Sequence, residues 1–409
     1  MRRMLAFSMA AFTCTIASPS HAQSSVTLYG VIDEGINYVS NAQASSPGSP
    51  TGRTGGRAFT MTSSMLQGSR WGLTGVEDLG GGYKAIFTLE NGFDLGTGKF
   101  QQGGTLFGRQ AFVGIATPVG RVTLGRQYDL TYDLFGPLGP TVASGAFGIH
   151  PGDVDNAGGS YRINNSVKFT SNRYAGLLLT GMYSLGGISG NFQRNSTYSL
   201  GSSYSNGPID IAVGYLRANN PNQSLYGDMA SSSATGNNLT SVTGVQGNPI
   251  IGGFASARTL QVVDAALQYS FRGGLIGFNY SNTRFQNLNY AASGTLSQTN
   301  PLGYTGTATF NNYSVYGNYY ISPYLSINGV YDYLTGGGIN GKSSARYQLY
   351  VLGLDYLFSK RTDIYGIAAY MKASGTDSTG QPAVAFIFTN APSNTSNQLV
   401  FRVAIRHRF

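Results

Sequence analysis

Charged side chains are scarce in this 409-residue sequence, at 11% of all residues, about half of the ~25% usual in soluble domains. Cysteine occurs once, tryptophan once and histidine three times. A single cysteine excludes an intramolecular disulfide, and so few cysteines and histidines argue against a metal site. No stretch reaches the roughly 18 consecutive apolar residues of a transmembrane helix. We therefore expect no disulfide, no metal, no cofactor and no helical anchor.

Glycine and aromatic residues are abundant instead, with 58 Gly, 28 Tyr and 22 Phe. Polarity comes mainly from Ser, Thr, Asn and Gln, and the mean hydropathy is −0.10. An aromatic content of 12% argues against a disordered, low-complexity chain. A β-barrel with one wet face and one lipid-facing face averages to this kind of composition.

The last eleven residues, 399–409, show the pattern expected of one strand of such a barrel. Successive residues of a strand point to opposite faces. One face carries apolar side chains, namely Leu399, Phe401, Val403, Ile405 and Phe409. The other face carries three arginines, Arg402, Arg406 and Arg408. A strand that ends on an aromatic residue suits lipid outside, water inside and an aromatic at the interface.

The N-terminal residues 1–22 have the features of a secretory signal peptide. Two arginines precede a short apolar run at 4–17, and a small-x-small cleavage site follows at 20–22. Cleavage removes Cys14 and the two arginines, which leaves 24 basic residues against 17 acidic ones, a net charge of about +7. We expect residues 23–409 to form one exported β-barrel domain.

Alternating apolar and polar stretches recur along 23–409, and they predict sixteen strands. The second strand is predicted over 65–77, and the connections after odd-numbered strands are predicted to be long and polar. The clearest of these are 41–62, 93–105, 129–161, 218–256 and 374–396. The predicted fold class is all-β, a 16-stranded antiparallel transmembrane β-barrel. An even count lets the first and last strands pair and leaves no open edge in lipid.

The predicted fourth and fifth strands alternate less cleanly than the others. Val113 shares the parity of Arg109, and Leu124 shares the parity of Arg126. A face that contacts another protein rather than lipid would explain such a mixture.

Several segments, taken in order, resemble the Gram-negative general porins of the betaproteobacterial type. They are 25–33 (SVTLYGVID), 68–80 (GSRWGLTGVEDLG), 120–128 (GRVTLGRQY), 162–167 (RINNSV) and the terminal Phe409. The resemblance covers essentially the whole mature chain. It implies a homotrimer of barrels in the outer membrane of a Gram-negative bacterium. In each barrel the third loop, residues 129–161, folds inward and narrows an aqueous channel.

The resemblance also implies a constriction with a basic wall and an acidic loop. The matching basic positions are Arg70, Arg109, Arg126 and Arg162, together with Lys168, which shares the parity of Arg162. The acidic candidates in the third loop are Asp129, Asp133, Asp153 and Asp155. The loop lacks the Pro-Glu-Phe-Gly-Gly pattern of enterobacterial porins, so the sequence leaves open which aspartate faces the arginines. Phe409 is, by resemblance, the signal that the barrel-assembly machinery reads.

The expected function is passive diffusion of small hydrophilic solutes and ions. Because the basic positions outnumber the evident acids of the lumen, we predict a preference for anions. The expected partners are two further copies of the chain, outer-membrane lipid and lipopolysaccharide, the permeating solutes, and the assembly machinery. Export and dispersed charge argue against a nucleic-acid partner.

Three alternatives remain open at this point. A barrel adhesin or other structural outer-membrane protein would have the same strands but no conducting pore. A substrate-specific channel would need an aromatic ladder along the lumen, whereas many tyrosines fall on the outward parity, where interface girdles explain them. A hydrolase would need a base, and after signal cleavage only His150 and His407 remain, without a serine at a recognisable spacing.

Overall fold

The computed structural model describes residues 24–44, 54–227, 237–240, 247–290 and 300–409. The predicted signal peptide, 1–22, lies outside these residues. Strands dominate the described part of the chain. They are β1 Ser25–Gln43, β2 Gly55–Ser63, β3 Arg70–Gly80, β4 Tyr83–Gly92, β5 Gln110–Thr117, β6 Gly120–Gln127, β7 Ile163–Ser171, β8 Leu177–Ser184, β9 Thr197–Asn206, β10 Ile209–Asn219, β11 Thr259–Phe271, β12 Gly274–Leu288, β13 Gly306–Tyr320, β14 Leu325–Ile339, β15 Ser343–Leu357, β16 Thr362–Thr376 and β17 Asn397–Arg408.

All of these strands join one antiparallel sheet, and the sheet closes on itself because β1 pairs with β17. Strands β2 and β3 both pair with β1, β2 opposite its second half and β3 opposite its first half. They are therefore two halves of one barrel strand, and the seventeen segments make a barrel of sixteen strands. The predicted fold class is confirmed. Closure gives every strand two neighbours, which removes unsatisfied edges from the lipid region.

The break between β2 and β3 has a cause inside the barrel. Asp33 on β1 points inward, and its Oδ2 accepts hydrogen bonds from the backbone N–H groups of Leu66 and Gln67, each at 2.7 Å. These backbone groups are satisfied by a carboxylate instead of a ladder partner. The prediction of a strand over 65–77 after a loop at 41–62 was therefore wrong in its bounds. Much of the described end of that loop is strand β2.

The two faces of the strands follow the predicted alternation. On β1, Val26 and Leu28 are exposed on the outer surface, whereas Asp33 and Asn37 are fully buried on the inner side. On β17, Phe401, Val403 and Ile405 are likewise exposed on the outside. A barrel in a membrane reverses the usual rule, since the apolar face meets lipid and the polar face lines the interior.

The connection between β14 and β15 is shorter than predicted, since the sequence pattern indicated a long loop at this place. Both strands extend further than their sequence pattern indicated, and only residues 340–342 connect them. The long connections elsewhere include the third loop, 129–161, and the final loop, 377–396, between β16 and β17. Both of these loops lie largely buried.

The third loop contains two short helices, α1 Leu130–Phe135 and α2 Thr141–Ser144, and it packs against the inner wall of the barrel. Leu134 and Phe135 fit the wall because glycines face them. A Cβ atom at Gly201 would lie 2.3 Å from Leu134 Cδ1, and one at Gly214 would lie 2.7 Å from Phe135 Cε2. Glycine is needed where another element approaches the strand so closely. A third helix, α3 Pro221–Ser224, follows β10.

The final loop also turns into the barrel, which the sequence did not predict. Phe386 and Ile387 are fully buried, and the Ile387 N–H donates to Gln398 Oε1 at 3.0 Å. Of the helices in the described ranges, none has the length and apolar character needed to cross a membrane.

Candidate functional site

A cavity of about 1080 Å³ lies inside the barrel, bounded by the third loop, the final loop and the break between β2 and β3. We call it the arginine-lined cavity. Its basic lining residues are Arg70, Arg109, Arg162, Arg406 and Arg408. Its acidic lining residues are Asp94 and Asp133. The structure thus brings together three of the predicted basic residues and adds two from β17.

Arg70 and Arg109 share one carboxylate, that of Glu90 on β4. Arg109 Nε donates to Glu90 Oε1 at 2.7 Å, and Arg70 Nε lies 3.3 Å from Glu90 Oε2. Tyr29 donates its hydroxyl to the same carboxylate at 2.9 Å. One acid therefore holds two guanidinium groups, and the trio keeps a net charge of +1. Charge-assisted bonds of this kind fix the direction in which the guanidinium groups face.

Arg162 is held in a different way. Its Nη2 donates to the Tyr128 hydroxyl at 2.7 Å, and its guanidinium carbon lies 4.5 Å from the centroid of the Tyr128 ring. Tyr128 in turn stacks on Tyr132, with ring centroids 4.1 Å apart. In the described part of the chain no carboxylate lies within ion-pair distance of Arg162, so its positive charge is uncompensated at close range.

Lys168 does not line the arginine-lined cavity but a smaller one of about 270 Å³ beside it. Its ammonium group donates to Asp133 at 2.6 Å and to the carbonyl oxygen of Tyr128 at 3.0 Å. Asp133 lines both cavities. The lysine therefore neutralises the one loop aspartate that reaches the larger cavity.

Arg126 is the one predicted basic residue that the structure does not bring to either cavity. It shares the parity of Leu124, which is exposed on the outer face of β6, while Thr123 and Gln127 bond to each other on the inner side. Its Nε donates to the carbonyl oxygen of Gly108 at 2.9 Å. Arg126 also bonds to the side chain of Asn164, at a place where the pairing of β6 with β7 shifts register, so the structure does not bring it to the basic wall that the resemblance implied.

Two of the other three candidate aspartates of the third loop, Asp129 and Asp153, serve the loop itself. Asp129 caps α1 by accepting from the Tyr132 N–H at 2.9 Å, and it also accepts from Asn156 Nδ2 at 2.7 Å. Asp153 accepts from the backbone N–H groups of Gly158 and Ser160. Burial raises the pKa of Asp129 to about 7 and the pKa of Asp153 to about 6. Neither residue lines the arginine-lined cavity.

Asp155 forms a buried ion pair with His150 that anchors the third loop to the wall. His150 Nδ1 lies 2.6 Å from Asp155 Oδ2, and Asp155 also accepts a hydrogen bond from Ser281 on β12. Burial alone would lower the pKa of His150, but Asp155 and Asp332 outweigh it and raise that pKa to about 10. The imidazole is therefore a cation at neutral pH.

The same histidine bears on the hydrolase alternative. Ser314 Oγ lies 3.3 Å from His150 Nε2, so serine, histidine and aspartate meet in space although no sequence spacing indicated it. Ser314 is buried on β13, and His150 also lies 3.7 Å from Asp332. A base must be neutral, and a nucleophile must reach its substrate. The observed group is a buried imidazolium between carboxylates, which suits an anchor.

Arg406 and Arg408 of β17 line the cavity but were not among the residues predicted for the site. Arg406 Nη2 lies 2.9 Å from Asp363 and 3.2 Å from Asp355, and Arg408 Nη1 lies 3.3 Å from Asp363. The signal that could have found them was their shared inward parity in the last strand. Arg402 belongs to the wall rather than the cavity, since it is buried against Asp33 at 3.0 Å.

Phe409, the predicted assembly signal, lies at the seam of the barrel. Its backbone N–H donates to the Gly30 carbonyl oxygen, and the Gly30 N–H donates back, both at 3.1 Å. The residue is 46% exposed. The terminal residue therefore helps to close the sheet where β17 meets β1.

The cavity wall is basic in its overall balance. Its lining groups are five arginines and two aspartates. With Lys168 and the partner acids Glu90, Asp355 and Asp363, the count is six cations against five anions, a net of +1. The five arginines line the cavity, whereas the partner acids Glu90, Asp355 and Asp363 do not. Such an arrangement attracts anions into the cavity more than cations.

The chain is similar in sequence to known porins along most of its length. A family model described as Gram-negative porin matches residues 6–376. The chain is 28% identical over 436 aligned residues to an outer membrane porin protein of Bordetella pertussis, with 98% of each chain covered. It is 30% identical over 211 residues to outer membrane porin protein 32 of Delftia acidovorans, which covers 47% of this chain and 54% of that relative.

Solved structures show the same architecture. The anion-selective porin from Comamonas acidovorans superposes with a TM-score of 0.65 at 20% identity, over 95% of this chain and 100% of that chain. The trimer form of OmpT of Vibrio cholerae superposes with a TM-score of 0.61 at 15% identity, over 94% and 99% of the two chains. At this level of identity the likeness concerns the fold alone.

Proposed function

Since the chain belongs to the family of Gram-negative porins, which are outer-membrane channels, we propose that its barrel conducts small hydrophilic solutes and favours anions over cations. The observation that carries this proposal is the lining of the arginine-lined cavity by five arginines and two aspartates. A solute passing the third loop meets guanidinium groups in a space where salt screens poorly. Anions are attracted there and cations are repelled.

The test is the reversal potential of channels in a planar bilayer under a KCl gradient. Stepwise conductance with a reversal potential of the sign for chloride preference is the expected result. A cation-favouring sign would contradict the selectivity, and the absence of stepwise currents would favour the barrel-adhesin alternative.

Arg162 is the best single probe of this selectivity. Because it has no carboxylate within ion-pair distance among the described residues, Arg162→Gln removes uncompensated charge. We expect the permeability ratio of chloride to potassium to fall about twofold, as for a single charge in a partly screened pore. The matched control is Arg272→Gln, an exposed turn residue between β11 and β12, which should keep the wild-type ratio. Equal ratios for all three proteins would refute this role of Arg162.

Assembly into a homotrimer is a further part of the proposal. One structural neighbour is described as a trimer form. We propose that Arg126, which shares the parity of the exposed Leu124, takes the outer face, where its side chain bonds to that of Asn164 on β7. A charged residue facing hydrocarbon is costly, by about 2–4 kcal/mol at the bilayer midplane. Contact with a second subunit at this face would explain the residue, and it fits the irregular outward pattern of β5 and β6.

Export and insertion complete the proposed route to the membrane. We propose that residues 1–22 are removed as a signal peptide, that the barrel-assembly machinery reads Phe409, and that lipid and lipopolysaccharide surround the folded trimer. Deletion of Phe409 should lower the yield of heat-modifiable trimer on gels, because it removes both the terminal aromatic and two backbone hydrogen bonds to Gly30. An unchanged yield would contradict this role.

A further inference from the structure

The arginine-lined cavity has a second kind of lining besides charge. From the third loop, Val142 on α2 reaches the cavity with 46% of its surface exposed, and Pro137 and Ile149 line it as well. From the break between β2 and β3 comes Leu66, and from the final loop comes Phe388. Guanidinium groups and apolar side chains therefore line one continuous space.

The lining is apolar on the side of the third loop because the aspartates of that loop are bonded elsewhere. Asp129, Asp153 and Asp155 are used inside the loop or against the wall, as described above, and Asp133 is paired with Lys168. What remains on the cavity side of the loop is mainly glycine, proline, threonine and apolar residues. The loop that could have supplied an acidic surface instead supplies a nearly uncharged one.

The final loop adds to this surface and is held there firmly. Phe388 packs against Phe386, with ring centroids 5.9 Å apart. Next to it, Thr389 adopts a φ of 70°, which is strained for a β-branched residue. Its hydroxyl donates to Met65 Sδ at 2.9 Å. Strain that the surrounding structure maintains is characteristic of binding sites and switches.

The cationic part includes a guanidinium group that no carboxylate neutralises. Arg162 donates to the Ser160 carbonyl oxygen at 3.0 Å and to the Tyr128 hydroxyl at 2.7 Å, and it has no ion-pair partner among the described residues. Its guanidinium group lies over Tyr128, which stacks on Tyr132, and both rings line the same cavity. A carboxylate suits such a donor, and a flat or aliphatic body suits the surfaces beside it.

We propose that the arginine-lined cavity is a binding subsite for monocarboxylates that carry an apolar body, such as aryl- and arylalkyl-carboxylates, in preference to equally charged anions without one. This inference rests on the proposed channel function and names the solute class that the channel favours. The carboxylate meets the arginines while the apolar body leaves water against Val142, Phe388 and Leu66. Burial of apolar surface supplies the preference.

The cavity is large enough to bind such a solute without trapping it. Its volume of about 1080 Å³ matches the upper end of small-molecule pockets, roughly 300–1,000 Å³. An arylacetate occupies only part of that space, so water remains and the solute can leave. Permeation requires binding that is strong enough for the solute to enter and weak enough for it to leave.

The test compares phenylacetate with acetate as blockers of chloride current through the wild-type channel in a planar bilayer. Both are monovalent carboxylates, so they differ only in the apolar body. We expect the half-blocking concentration to be about tenfold lower for phenylacetate, equivalent to about 1.4 kcal/mol. A protein-free bilayer exposed to phenylacetate controls for effects on the lipid. Equal half-blocking concentrations would overturn the inference.

Variants locate the effect. Val142→Thr keeps the shape of the side chain and makes it polar. We expect the half-blocking concentration of acetate divided by that of phenylacetate to fall about threefold in this variant. The matched control is Val119→Thr, an exposed residue in the turn between β5 and β6, which should keep the wild-type ratio. Phe388→Ala should lower the ratio further. Conducting Val142→Thr and Phe388→Ala channels that both keep the wild-type ratio would overturn the inference.

The failures of the two proposals are distinguishable. A missing current or a cation-favouring reversal potential in KCl counts against the proposed function. An anion-favouring channel that treats phenylacetate and acetate alike counts against the subsite alone. Arg162→Gln should raise the half-blocking concentration of both carboxylates, because it removes the donor that they share. A change confined to phenylacetate would contradict the carboxylate–arginine contact.

Discussion

The third loop and the final loop both occupy the interior of the barrel, but different forces hold them there. The third loop packs Leu134 and Phe135 against the wall and is anchored in addition by charge, through the buried His150–Asp155 pair. The final loop is anchored by apolar burial of Phe386 and Ile387 and by neutral hydrogen bonds to Gln398. The charged anchor of the third loop should therefore respond to pH and to loss of one charge, whereas the apolar anchor of the final loop at Phe386 and Ile387 should respond to neither.

Asp155→Asn should have the largest effect, and it tests whether charge anchors the third loop. It leaves the His150 imidazolium buried beside a neutral amide, and removing one partner of a buried pair costs about 3–5 kcal/mol. We expect a loss of this size in the free energy of unfolding, measured by urea titration in detergent with the fluorescence of Trp71, the single tryptophan. The control, Asp78→Asn, changes an exposed residue near the end of β3 and should stay within about 0.5 kcal/mol of wild type. A loss no larger than that of the control would show that charge does not anchor the loop.

The second prediction concerns pH. The folded pKa of His150 is raised from its ordinary value to about 10, so its contribution is complete below pH ~6.5 and is lost as the pH rises through ~10. We expect the wild-type protein to lose about 3 kcal/mol more stability between pH 7 and pH 10 than His150→Gln loses. Parallel pH profiles for the two proteins would contradict this assignment.

For the final loop, Phe386→Leu is the corresponding change. It removes part of a fully buried ring, and swaps between large apolar residues usually cost less than about 1.5 kcal/mol. We expect a loss of about 1 kcal/mol that is equal at pH 7 and pH 10, because no ionisable group is involved. A loss that depends on pH would mean that the two loops are coupled rather than independently anchored.

The smallest effect is expected at Thr389, in the same loop. Thr389→Gly removes a β-branched residue from a φ of 70° and should stabilise the protein by about 0.5 kcal/mol, the strain relieved less the entropy that glycine loses. The measurement is again the urea titration. Destabilisation would show that the hydroxyl contact with Met65 Sδ outweighs the backbone strain.

The features that the sequence predicted best are those set by residues close together along the chain. The faces of β1 and β17 follow from alternation alone, because each side chain's side is decided by its position within its own strand. The count of sixteen barrel strands and the inward third loop were also predicted, the first from the pattern and the second by resemblance. Arg126 shows where the resemblance and the structure differ: the resemblance implied a place on the basic wall, but the side chain lines neither cavity and bonds to Gly108 and Asn164.

What the sequence by itself determined is a closed barrel with an apolar outside and a basic interior, because a period of two is a local property of the chain. Only the tertiary structure decided which loop aspartate reaches the arginines, that Asp33 interrupts the second barrel strand, and that the final loop turns inward. These outcomes depend on partners far apart in sequence, such as His150 with Ser314 on β13. No local pattern encodes such contacts, because folding brings the partners together only when the barrel closes around its loops.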